Sequence, residues 1–338
     1  MRAASKLSRP SSAVPRLPDG WSAPDVVEDE HEVDGLVVQR AGISSTFGTE
    51  EACGAAAEVG ERALPRAEFE LLERAAVIEQ RRASRFTLRD EEGEVVGECS
   101  TDQAFPSSNA PDRWRYSTSS GVALHSSWKN ACTRAAWELI ERDRILRAWH
   151  GETTPSSLDF AATNHPLLTT RSYDWRAVSF DAPSGTEIHD VAVAGVFGFP
   201  KVEGVPFALG FGARPNLRDA VDAAAREALQ FLAFVWGEQP IEANEHVEPT
   251  AMRHLDEFQV RGRHAVVRSW LDGAHAPYRP NRRFQRVGPL HFVDLTPAWM
   301  GDGLRVAKAL SDGAEVLTFG ESPSCAHLPQ NLRIHPIP

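Results

Sequence analysis

The sequence is poor in cysteine and has no long apolar run. Its four cysteines, Cys53, Cys99, Cys132 and Cys325, stand far apart without a CxxC pair. Neither a disulfide framework nor a structural zinc site is therefore expected, and the thiols read as reduced ones in a cytoplasmic protein. No stretch of about 18 consecutive apolar residues occurs, so no membrane-spanning helix is expected. The first 20 residues carry Arg2, Lys6, Arg9 and Arg16 but no apolar segment, which argues against a secretory signal. Positive charge is in deficit as well. The chain has 36 Lys plus Arg against 47 Asp plus Glu, a formal net charge of −11, the wrong balance for a general nucleic-acid or anionic-membrane binder. There is no HExxH and no G-x-S-x-G elbow, and Gly210-Phe211-Gly212 lacks the third glycine of a dinucleotide loop. His125 beside Ser126-Ser127 is no more than adjacency in sequence, which does not make a triad.

What is present is the material of a large folded unit. The 338 residues are 42% hydrophobic and 25% charged, enough to bury a sizeable core. Residues 1–30, rich in Ser, Pro and Asp, read as a flexible arm, and 31–338 as a single α/β domain with a mixed sheet. Leu36-Val37-Val38 is the first candidate strand. Thr49 followed by Glu50-Glu51 reads as a helix start leading into Ala52–Ala63, with Pro65 limiting it. Further helices are expected over Ala67–Arg82, Ser126–Trp149, Asn216–Trp236 and Leu304–Leu310. A hairpin is expected around Asp90–Gly93. Strands are expected at Asp190–Gly198, Pro206–Gly212, His291–Leu295 and Glu315–Phe319. Trp128, Trp137 and Trp149, at helical spacing, read as core.

Three of the expected helices share an acid spacing. Glu58 and Glu61 precede Arg62, Glu138 and Glu141 precede Arg142, and Glu227 precedes Gln230. On an α-helix, residues three apart lie on one face with Cβ atoms ~5–6 Å apart, so each pair can offer two oxygens to one hard cation. Two such helices would gather four carboxylates, whose repulsion calls for divalent ions. The neighbouring alanines allow close approach, and Arg62 and Arg142 stand ready for a phosphate. Any one such segment could equally be a solvated helix face. Glu138 and Glu141 are the exception, set among Trp137, Leu139 and Ile140.

At this point the sequence resembles the YcaO-type ATP-dependent enzymes, from about Gly35 to the end. The resemblance lies in Ser119-Ser120-Gly121-Val122-Ala123, in Ala131, and in Glu138-Leu139-Ile140-Glu141-Arg142-Asp143. Glu58–Arg62 looks like the family's SxxExxER helix, Ala223–Gln230 like its later Glu-x-x-Gln helix, and Ile334–Pro338 like its proline-alternating C-terminus.

The resemblance implies ATP and Mg²⁺ as cofactors. Glu58, Glu61, Glu138 and Glu141 would hold the metal, and Ser119, Ser120, Arg62, Arg142, Glu227 and Gln230 the nucleotide, with Glu141 and Arg142 catalytic. The implied reaction activates backbone amides of a ribosomally made precursor peptide, foremost by closing Cys, Ser or Thr into azolines, with thioamide and amidine formation as variants. The implied partners are that peptide and a separate leader-peptide-binding protein, without which the chain is not expected to select its substrate. A homodimer is left open. There are departures from the family pattern: Thr46-Phe47-Gly48 where relatives have Gly-Lys-Gly, Ala55 for serine, Asn130 for an acid, and Ala223 for arginine. They keep a second reading open, a non-catalytic scaffold or partner-binding subunit.

Overall fold

The computed structural model describes residues 16–182, 191–238, 248–259, 263–273, 288–326, 328 and 330–337. In chain order the elements are β1 (Asp25–Val33), β2 (Leu36–Phe47), β3 (Glu50–Glu58), α1 (Leu64–Gln80), β4 (Arg85–Arg89), β5 (Val95–Ser100) and α2 (Thr101–Ala104). There follow β6 (Trp114–Tyr116), β7 (Val122–His125), α3 (Trp128–Trp149), β8 (Ser156–Leu158), β9 (Tyr173–Ser179), β10 (Ala192–Pro200), β11 (Ala208–Arg214) and α4 (Leu217–Val235). The last are α5 (Ala251–Gln259), α6 (His264–Leu271), β12 (Leu290–Asp294), β13 (Arg305–Ser311) and β14 (Thr318–Gly320). The α/β class is as expected. The single mixed sheet expected is not found: the described strands pair antiparallel throughout and sort into four sheets, ordered β1-β2-β3, β11-β10-β9-β8, β5-β4-β12-β13-β7 and β14-β6. No helix among the described residues is long and apolar enough to cross a membrane.

Each long helix lies on its own sheet because its buried stripe is made of small residues. Ala67, Leu71, Ala75 and Ile78 of α1 cluster with Ala41, Ile43, Ala52 and Ala56 of β2 and β3. Ala131, Ala135 and Leu139 of α3 cover Ala307 and Ala309 of β13. Ala220, Ala224 and Ala228 of α4 pack with Ala194, Val196 and Ala208. Glycines complete two of these contacts. A Cβ at Gly54 would stand 1.9 Å from the Ala67 carbonyl oxygen, and one at Gly210 would stand 2.2 Å from the Ala228 nitrogen. Helix backbone therefore rests directly on strand backbone, which only glycine permits.

Several expectations need correction. The helix expected at Ala52–Ala63 is strand β3, paired with β2 from Gln39↔Glu58 to Phe47↔Glu50. Alanine's helix propensity yields there to a nine-residue ladder and to the close seat of α1. The helix expected at Leu304–Leu310 is strand β13, sandwiched between β12 and β7. The arm is shorter than expected, since residues 25–30 belong to β1, and Trp21 donates its indole N–H to Glu79 at 2.7 Å. The rest of the arm, residues 1–15, lies outside the described residues. Polar residues 238–262, which lack periodicity, contain helix α5, and residues 239–247 and 260–262 lie outside the described set. Residues 101–118, with Pro106 and Pro111, still form α2 and β6.

The C-terminal segment is packed. Trp149 donates to the Leu332 carbonyl at 2.8 Å, and Ile337 is 3% exposed. His335 donates from Nε2 to the Thr318 carbonyl at 2.7 Å. His254 donates from Nδ1 to the His335 carbonyl at 3.0 Å and accepts the Gly320 N–H at 2.8 Å. Both imidazoles are thus used in their neutral form. Burial holds His335 down to about 4 and His254 well below the ordinary histidine value.

The backbone contact at Gly210 makes a direct prediction. Gly210→Ala should destabilise the protein by about 3 kcal/mol, because α4 must lift from β11. The urea unfolding midpoint checks this, with Gly303→Ala as a control for a glycine of ordinary φ whose Cβ would meet nothing.

Candidate functional site: a carboxylate cleft between three helices

Helices α1, α3 and α4 bring together Glu70 and Glu73, Glu138 and Glu141, and Glu227. Three of these carboxylates are held from the sheets, each by a strand N–H. Ala55 of β3 donates to Glu70 at 2.8 Å. Leu124 of β7 donates to Glu73 at 2.7 Å, and Phe211 of β11 donates to Glu227 at 2.9 Å. Capping by Ser127 and Asn216 starts α3 and α4 where the sequence indicated, which fixes the phase of both helices.

The acids are half-buried, yet ringed closely enough by protein that their charged forms are poorly solvated. Burial pushes Glu73 up to about 8, helped by Glu138, and Glu227 up to about 7 against the opposing Phe211 N–H and Arg142. Glu141 rises well above the ordinary carboxylate value, through burial first and then through Glu227 and Glu138. Glu138 is raised by burial, which Arg142 and Lys308 oppose. Arginines lie across the acids: Arg142 pairs with Glu138 at 2.7 Å, and Arg74 with Glu70. Arg142 also reaches the Ser117 hydroxyl at 3.5 Å. Nearer the start of α3, Arg134, and Arg214 at the end of β11, stand 4.8 and 5.6 Å over the Trp137 ring.

Of the residues singled out from the sequence, Glu138, Glu141, Arg142 and Glu227 meet in this cleft. Gln230 follows Glu227 on the same helix face. Ser119 and Ser120 form the turn before β7, closed by the Val122 N–H on the Ser119 carbonyl at 3.2 Å. Glu58, Glu61 and Arg62 are not brought in. Glu58 ends β3 and pairs with Arg66, Glu61 lies in an exposed bend, and Arg62 pairs with Glu28 at 2.6 Å. Their expected helix does not exist, so the spacing that suggested one shared face has no such meaning there.

The acids missed are those of Glu70-Leu71-Leu72-Glu73-Arg74, on α1. The signal was in the sequence. Leu71 and Leu72 separate the two acids as Leu139 and Ile140 do in α3, and both leucines are buried. Between Glu58 and Glu61, by contrast, stand the exposed Val59 and Gly60, the latter at φ +76°. Lys308 was also missed, because β13 had been read as a helix.

The donor set is one of hard oxygens in excess of nearby cations, which suits Mg²⁺. Among the described residues no three acids already converge on a single ion position, because Arg74 and Arg142 lie on Glu70 and Glu138. Glu70, Glu73, Glu138, Glu141 and Glu227 would hold the metal, and the two arginines, once displaced from the acids, would face its anionic ligands.

A cleft of hard-oxygen donors and arginines between three helices of an α/β fold has the chemistry to hold metal and phosphate together. Residues 50–286 match the family described as YcaO cyclodehydratase, ATP- and Mg²⁺-binding, so the chain belongs to the YcaO family. The cofactors of that family are ATP and Mg²⁺.

No curated protein matches the sequence. Among solved structures, the chain is similar to YcaO from Methanopyrus kandleri bound with AMPPCP and Mg²⁺, at 15% identity and a TM-score of 0.57, covering 86% of this chain and 85% of that one. It is similar to a heterocyclase in complex with substrate and cofactor, at 15% identity and a TM-score of 0.61. That match covers 93% of this chain, which spans 54% of the heterocyclase chain. It is also similar to a chain of the E. coli microcin synthetase McbBCD complex, at 11% identity and a TM-score of 0.55, covering 93% and 96%.

The raised acids give stability a sign with pH. Carboxylates whose folded pKa lies above the unfolded value of ~4.3 contribute stability below that value and lose it as pH rises through the folded one. The depressed histidines act oppositely, costing stability only as pH falls below ~6.5. Between pH ~6.5 and ~8 the raised carboxylates dominate, opposed near the top of the window by Lys308, which burial holds down to about 8. The melting temperature of metal-free protein should therefore fall across that window, and added Mg²⁺ should flatten the fall. Thermal denaturation with EDTA and then with Mg²⁺ checks it.

Proposed function

We propose that the chain is an ATP- and Mg²⁺-dependent enzyme that activates backbone amides of a ribosomally synthesised precursor peptide, closing Cys, Ser or Thr residues into azolines. The observation that carries this is the cleft itself: five glutamates on three helices, with Arg74, Arg142 and Lys308 among them. The heterocyclase with bound substrate and the microcin synthetase among the similar structures support the peptide part of the reading.

An amide oxygen is a poor leaving group, and phosphorylating the adduct formed by side-chain attack makes it a good one. Mg²⁺ would supply charge neutralisation of the phosphates. Glu70, Glu73, Glu138, Glu141 and Glu227 would fix its position, while Arg142 and Arg74 would stabilise charge on the transferred phosphoryl group. The Ser119-Ser120 turn would face the phosphates with hydroxyls and backbone. The packed C-terminal segment, whose His335 feels Arg142, would offer Pro336 as a rigid edge for the peptide. The partners of this reaction are the precursor peptide and a separate leader-binding protein.

The two acid sets give a sharp test. Glu73→Gln and Glu141→Gln should each lower phosphate release and azoline formation at least ~100-fold, in an assay with ATP, Mg²⁺, precursor peptide and partner protein. Glu58→Gln and Glu61→Gln should stay within about twofold of wild type. Phosphate assay and mass spectrometry, reading one water lost per ring, measure both. Full product formation by Glu141→Gln in the reconstituted complex would favour the non-catalytic scaffold instead.

A further inference from the structure

Lys308 is an ammonium in a place where burial should penalise it. It lies in the middle of β13, is 4% exposed, and pairs in register with Val122 of β7. Its Nζ donates to the Ser120 carbonyl at 2.6 Å and to the Thr118 carbonyl at 3.3 Å, and lies 5.0 Å from the centre of the Phe105 ring. No carboxylate lies within 4.0 Å of it among the described residues.

Two carbonyls could be tied by a neutral donor, so the hydrogen bonds do not account for the charge, and a buried charge without an ion pair is costly. What the charge faces is the edge of the cleft: the turn it holds follows Ser117, whose hydroxyl meets Arg142 of the Glu138 pair. Glu138 attracts the ammonium and Arg142 repels it. Its two acceptors belong to the turn carrying Ser119 and Ser120. That turn is clamped on its other side as well. Gly121 sits at φ +67°, its carbonyl accepts the Ala309 N–H at 2.8 Å, and a Cβ there would meet the Ala309 oxygen at 3.2 Å.

We propose that Lys308 is a positioning residue with two linked effects: it holds the serine turn at the phosphate end of the cleft, and it lends the acid cluster a fixed positive charge, so that the cleft favours metal carried by a nucleotide over metal alone. A bare divalent ion among the glutamates is repelled by the ammonium. A nucleotide-bound one brings phosphates that the same ammonium attracts. The inference rests on the reading of the cleft as a Mg²⁺–nucleotide site.

The test uses the full chain at pH 7, comparing wild type, Lys308→Met and Lys308→Gln. Binding of Mn²⁺ alone is read by electron paramagnetic resonance, and binding of a non-hydrolysable ATP analogue with Mg²⁺ by calorimetry. In Lys308→Met, Mn²⁺ alone should bind about tenfold tighter and the analogue about tenfold weaker, opposite shifts that mere loosening of the fold cannot produce. Lys308→Gln removes the charge but keeps a donor for the turn. It should show the same tightening of Mn²⁺ with a smaller loss of nucleotide binding, and it carries the comparison if Lys308→Met does not fold. Affinities that move together, or do not move, in a folded variant overturn the assignment of Lys308. A wild-type protein that binds neither Mn²⁺ nor the analogue overturns the reading of the cleft itself.

Discussion

The structure depends on one interaction repeated from different sheets: a strand N–H donated to a glutamate on the helix that covers that strand. Ala55 with Glu70, Leu124 with Glu73 and Phe211 with Glu227 are bonds between backbone and side chain at 2.7 to 2.9 Å. Each spends a sheet amide on a carboxylate, and in return fixes that oxygen in a site where like charges repel. Hydrogen bonds to a carboxylate in a poorly hydrated place are stronger than their counterparts on the surface. They are what allows several acids to face one another in a folded chain.

Such bonds reach only if the helices lie close, and this is where small residues enter. At Gly54 and Gly210 the strands surrender a side chain so that helix backbone can settle on them. The alanines of α1, α3 and α4 belong to the same device. A leucine in place of Ala224 or Ala67 would lift the helix, and the glutamates one turn away would leave their amides. Packing and charge placement are thus a single constraint.

How much of this was legible follows from what each segment needed. Helix α3 could be read because its apolar spacing and its embedded acids agree, and α4 could be read from Asn216 onward along its alanine-rich stripe. The alanine run at 52–57 misled because alanine favours helix locally, while strand pairing with β2 and the seat of α1 decide the outcome at long range. That error moved the first acid pair twelve residues too early and hid Glu70 and Glu73, whose flanking leucines marked the buried helix. Arg305–Ser311 misled differently. Leu304, Ala307 and Leu310 fit a helical stripe that would have put Lys308 in solvent, and only the register against β7 turns it inward. Single-sequence periodicity carries no information about which strand lies beside which.

The three helices of the cleft are anchored in different parts of the core: α1 against β2 and β3, the first half of α3 against β12 and β13, and α4 against β9, β10 and β11 with Val33, Val38 and Ala57 of the first sheet. Local opening of any one of these parts moves one wall of the cleft. A ligand that draws on glutamates from all three helices is then a cross-brace: no wall can open without giving up the ligand, and slow amide exchange should spread outward from the cleft into sheets that never touch the ligand.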